Sequence, residues 1–104
     1  MPTSGAQPLG KGQAKAKLNR CVEDGVVAYS RHFREKLAKD ALAMEDVLAV
    51  CRSGTIMMAP EQDIETGQWK YRIEGLTADR RQVAVVFTFR QEQAVFITVF
   101  ERTP

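Results

Sequence analysis

The chain has 104 residues, 44% of them hydrophobic and 27% charged, with a formal net charge of +2. That length holds one domain and no second, and no apolar run reaches the roughly 20 residues a transmembrane helix needs. Two cysteines and one histidine are too few for a structural zinc site. The charge is also split, with eight Lys/Arg against three acids in residues 1–39 and seven against ten in residues 40–104.

Residues 1–13 contain Gly, Pro, Ser and Gln but no apolar stretch, so they read as a disordered tail and not as a secretory signal. The single domain is expected over residues 14–104, in the cytoplasm, where Cys21 and Cys51 serve as small hydrophobes. From Ala14 to Asp24, Leu18, Cys21 and Val22 mark one helical face, and Gly25 stops it. Val26 to Tyr29 is a short β-branched run, either an extended connection or an edge strand. Ser30 is the N-cap of a helix from Arg31 to Lys39 whose buried residues are Phe33 and Leu37. A third helix runs from Met44 to Arg52 on Met44, Val47, Leu48 and Cys51, with Glu45 and Asp46 in its first turn.

Beyond Gly54 the period changes. Thr55 to Met58 is a short strand candidate, followed by a polar loop to Gln68. Trp69 to Gly75 alternates Trp69, Tyr71 and Ile73 against Lys70, Arg72 and Glu74. Gln82 to Phe89 puts Val83, Val85, Phe87 and Phe89 on one face. Ala94 to Phe100 puts Val95, Ile97 and Val99 on one face and Phe96, Thr98 and Phe100 on the other. Tight turns at Leu76–Arg81 and Arg90–Gln93 require an antiparallel meander. The expected fold is α+β: two or three N-terminal helices packed on one face of a three- to four-stranded antiparallel sheet.

The chemistry on offer is narrow. No Gly-rich phosphate loop, Gly-x-Ser-x-Gly elbow or His-Glu-x-x-His motif occurs, so no metal and no cofactor are expected. His32 lies in a first helical turn, where the positive end of the macrodipole favours a neutral imidazole able to act as a general base; the plainer reading is a capping or packing histidine. Opposite the core parity stand Lys70, Arg72, Glu74, Thr88, Arg90 and Thr98. Cations there suit a scissile phosphate, and the plainer reading is a solvated face with cross-strand Arg–Glu pairing.

The runs Tyr29-Ser30-Arg31-His32-Phe33-Arg34-Glu35-Lys36-Leu37, Leu42-Ala43-Met44-Glu45-Asp46-Val47 and Gly54-Thr55-Ile56 resemble a bacterial domain family of unknown function. Tyr71-Arg72-Ile73-Glu74-Gly75, Val83-Ala84-Val85-Val86 and Val95-Phe96-Ile97-Thr98-Val99-Phe100 follow in the same order. One departure is Ala43, where the family pattern has a Ser cap. That family is similar to BrnT-like and MqsR-like toxins of the RelE/ParE superfamily. The resemblance implies a RelE/ParE-like fold, RNA as substrate and a cognate antitoxin as partner. It marks His32, Arg72 and Thr98, with Lys36, Lys70 and Arg90 as phosphate contacts.

Three readings follow. The first is a metal-independent endoribonuclease toxin, with His32 or Glu74 as base and Arg72 and Arg90 stabilising charge. The second is a non-catalytic protein- or nucleic-acid-binding module on the same scaffold. The third is a structural subunit that forms a homodimer through an unmatched edge strand, Val26–Tyr29 or Thr55–Met58.

Overall fold

A computed structural model describes residues 7–102 of the chain. Helix α1 spans Lys11–Asp24 and ends at Gly25, which sits in the left-handed region at φ 71° and donates its N–H to the Cys21 and Val22 carbonyls. The fold takes in residues that composition assigns to the tail. Leu9 packs against the core and its N–H donates to the Tyr71 hydroxyl at 2.9 Å. Residues 9–13 therefore belong to the fold, while the first six residues of the expected tail lie outside the described ones.

Strand β1 (Val27–Tyr29) leads directly into helix α2 (Arg31–Lys39). The Ser30 hydroxyl oxygen accepts the Phe33 N–H at 3.0 Å and its O–H donates to the Ile97 carbonyl at 2.8 Å. One residue thus caps the helix and fastens it to the sheet. Helix α3 (Met44–Ser53) starts at Ala43, which offers no side-chain acceptor; instead the Asp46 carboxylate accepts the Ala43 N–H at 2.9 Å. Arg81 braces the α2–α3 connection, donating to the carbonyls of Ala41 and Asp40 at 2.9 and 2.6 Å and to Glu101 at 2.7 Å.

The remaining strands are β2 (Glu61–Gln62), β3 (Trp69–Leu76), β4 (Gln82–Arg90) and β5 (Gln93–Glu101). The last three form the expected antiparallel meander. The sheet is larger than expected, however: five strands in the order β1-β5-β4-β3-β2, mixed rather than all antiparallel. Strand β1 lies parallel to β5, pairing Val27 with Ala94 and Tyr29 with Phe96. Parallel neighbours need a long crossover, so turn lengths between adjacent strands give no sign of this pair. Thr55–Met58, by contrast, forms no strand. Thr55 alone bridges Glu74 through two backbone hydrogen bonds of 2.8 and 3.0 Å.

All three helices contribute to one core on one face of the sheet. Phe33 of α2 stacks on Phe96 at 5.3 Å, and Tyr71 on Phe87 at 5.5 Å. Leu18 of α1 and Val47 and Val50 of α3 are fully buried with Ile73, Val83 and Val85. Each such side chain stabilises the fold by roughly 1.5–3 kcal/mol. One parity expectation fails, on β5. The register slips between Val86 and Phe87, leaving Ile97 as an extra residue. Phe96 and Val99 therefore both face the core, although simple alternation puts them on opposite sides. Among the described residues no helix is long and apolar enough to cross a membrane.

Candidate functional site

The face of the sheet turned away from the helices holds most of the chemistry. On β3, Lys70, Arg72 and Glu74 alternate away from the buried Tyr71 and Ile73. Across the strands, Arg72, Val86 and Thr98 form one row, and Glu74, Ala84 and Phe100 the next. The β5 bulge is what keeps Thr98 and Phe100 on this side.

At the centre is an ion-pair cluster. Glu74 accepts a hydrogen bond from Arg102 at 2.9 Å and faces the Arg72 Nε at 2.8 Å, and its side chain is only 9% exposed. The Arg72 guanidinium lies 5.1 Å from the centroid of Phe100, within cation–π range. The Arg72 Nε–H is buried and does not aim at the carboxylate, so that contact is Coulombic and the donor lacks an acceptor. The terminal nitrogens of Arg72 make no hydrogen bond within the described residues and remain available to a ligand.

Lys70 and Arg90 extend the cationic surface. The Lys70 ammonium is 3.8 Å from Asp63, whose carboxylate also accepts the Glu65 and Thr66 N–H groups at 2.9 and 3.1 Å. The Thr66 N–H first, then that of Glu65, with Lys70 adding to them, hold the Asp63 carboxyl below its usual range. Arg90 is exposed at the end of β4. Thr88 shares this parity, but its hydroxyl is buried and donates to the Trp69 carbonyl at 2.6 Å.

Sequence pattern thus gathers Lys70, Arg72, Glu74, Arg90 and Thr98 on one surface, and the structure leaves them together. It does not bring in His32 or Lys36. Both lie on α2, which Phe33 seats on Phe96 over the helix-covered face, so the thickness of the sheet separates His32 from Arg72. His32 is exposed, with no hydrogen bond or ion pair among the described residues, and Lys36 is 3.6 Å from Asp40. The expected convergence of imidazole and guanidinium is therefore corrected. Its cause is non-local: β1 pairs with β5, and α2 must fold back over the core side. Arg102 was missed, though parity carried two residues past Phe100 would have found it.

A comparison with known families matches residues 29–101 to a domain of unknown function, DUF4258. The chain belongs to the DUF4258 family. No curated protein and no solved structure matches it. The DUF4258 segment runs from the last residue of β1 to the end of β5, so it includes all of β3, β4 and β5, which carry the open-face residues. It excludes α1, which nonetheless supplies part of the core.

Proposed function

We propose that this domain is a nucleic-acid-binding module that lays single-stranded RNA across the open face of β3, β4 and β5. The observation that carries the reading is Arg72, over the Phe100 ring at 5.1 Å from its centroid and beside Glu74, with its terminal nitrogens unengaged. A guanidinium fork suits phosphate, and an aromatic ring with an Arg plane suits an unstacked base. Lys70, Arg90 and Arg102 lie along the same surface as further phosphate contacts. The test is binding of a labelled single-stranded RNA to wild type and to Arg72→Ala/Arg102→Ala over a salt series. Wild type is expected to bind at 50 mM salt; the double variant is expected to lose about tenfold or more in affinity, and its salt slope to fall by about 1 per lost phosphate contact. No binding at low salt, or equal binding by both, overturns the reading.

Grouping of Arg72, Glu74 and Thr98 on one face favours a second reading, a RelE/ParE-like toxin acting as a metal-independent endoribonuclease. Glu74 would take the proton of the substrate 2′-hydroxyl, whose oxygen attacks the adjacent phosphorus. The 5′-oxygen would leave with a proton from solvent while Arg72 stabilises the developing charge. A cognate antitoxin on this reading competes with RNA for the face. Cleavage of RNA by purified protein in chelator, lost in Glu74→Gln, supports it; binding without cleavage removes it.

A further inference from the structure

A concavity of about 530 Å³ opens on the helix-covered side at the end of the sheet. Its wall is aromatic, formed by Trp69, Tyr71 and Phe89, with Tyr71 and Phe89 centred 5.6 Å apart and tilted by 56°. Gln68 and Gln91 stand at its rim, and each amide offers both a donor and an acceptor. The charge in the lining comes from Lys17 of α1. Its Nζ lies 4.7 Å from the Phe89 centroid and donates to the Gln91 carbonyl at 3.0 Å, which leaves further protons for a ligand. Among the described residues no carboxylate lines the concavity; Glu92 approaches Lys17 only to 4.0 Å and is 90% exposed.

Each feature selects for one property of a ligand. Flat ring walls take a planar ring, the amides take an edge with alternating donors and acceptors, and a cation with no carboxylate among the described lining residues takes negative charge. The volume lies within the range of about 300–1,000 Å³ typical of small-molecule sites. We infer that this cleft binds a nucleotide, with the base in the cleft walled by Trp69, Tyr71 and Phe89 and the phosphate toward Lys17. The inference does not rest on the sheet-face reading, because Arg72 and Arg102 lie on the other side of the sheet. The same chemistry is presented by a free mononucleotide and by one residue of an RNA strand.

Trp69 is the chain's one tryptophan, so its emission reports stacking directly. The intact protein is titrated with AMP, UMP, adenosine, ribose 5-phosphate and a single-stranded oligonucleotide. Saturable quenching by a mononucleotide assigns the site to free nucleotides, and quenching by the oligonucleotide alone assigns it to a base within a strand. Lys17→Gln is expected to weaken phosphate-bearing ligands about tenfold and leave adenosine unchanged. Gln68→Leu, at the half-buried end of the β2–β3 turn, is expected to weaken AMP and adenosine alike and serves if the first variant does not fold. Arg72→Ala/Arg102→Ala is expected to keep the quench, which separates this result from the fate of the sheet-face reading. Absence of saturable quenching by any base-bearing ligand, quenching by ribose 5-phosphate equal to that by AMP, or affinities unaltered in both cleft variants overturns the inference.

Discussion

At the scale of single residues, Gly54 and Gly75 show how a site can depend on something other than its charged groups. Gly54 has φ −78°, so backbone freedom is not the reason for glycine there. A Cβ at Gly54 would overlap the Val50 carbonyl oxygen and lie 2.6 Å from that of Glu74, while one at Gly75 would lie 2.9 Å from the Gly54 Cα. The end of α3 and strand β3 therefore touch backbone to backbone, which also sets the position of Glu74. Gly54→Ala is expected to cost about 1–3 kcal/mol, and thermal unfolding should show the midpoint falling by roughly 4–8 °C per kcal/mol; an unchanged midpoint would mean the two elements separate freely. Cys51 leads to a pH prediction. Burial pushes its thiol from 9.0 up to about 12, with Arg52 opposing slightly. Above pH 9 the unfolded chain loses this proton while the native chain keeps it. The stabilising contribution is thus fully present below pH 9 and is lost as pH rises toward 12, by about 1.4 kcal/mol per unit. Urea unfolding at pH 8 and pH 10 should show that extra loss in wild type and not in Cys51→Ala.

Among elements, the β1–α2 unit joins local and distant structure through Ser30. The hydroxyl was legible as a cap from its place before Arg31; its bond to Ile97 was not, because β5 lies far along the chain. Since Ser30→Ala removes both hydrogen bonds, it is expected to cost about 1–2 kcal/mol. Amide exchange should quicken across α2 and β1 more than across β3. Uniform acceleration would instead mean that the loss is global. Strand β5 makes the complementary point. Alternation identified Thr98 and Phe100 as open-face residues, yet the same alternation misplaced Phe96, since one extra residue at Ile97 inverts the parity on either side of it. The hairpin turns were readable from composition, even though Gln91 at φ 57° and Arg80 at φ 68° adopt the left-handed region without being glycine.

For the whole molecule, the question is whether α1, outside the family match, is an appendage. Leu18 is fully buried in the cluster that contains Phe33, Ile73 and Phe96, so α1 is part of the same core. Leu18→Ala is expected to cost about 2–5 kcal/mol while keeping one cooperative transition, with far- and near-ultraviolet signals melting together. A near-ultraviolet change with the far-ultraviolet midpoint unmoved would make α1 a separable layer. Periodicity alone determined the three helices, the β3–β4–β5 meander, and the grouping of Lys70, Arg72, Glu74, Arg90 and Thr98, because helix stripes and strand faces are local properties read within a dozen residues. Tertiary structure decided the parallel docking of β1, the bulge in β5, the recruitment of Arg102 to Glu74, and the placement of His32 across the sheet from Arg72. Those features depend on which distant backbone groups pair. Such pairing is chosen by the burial of the whole core, not by any segment taken alone.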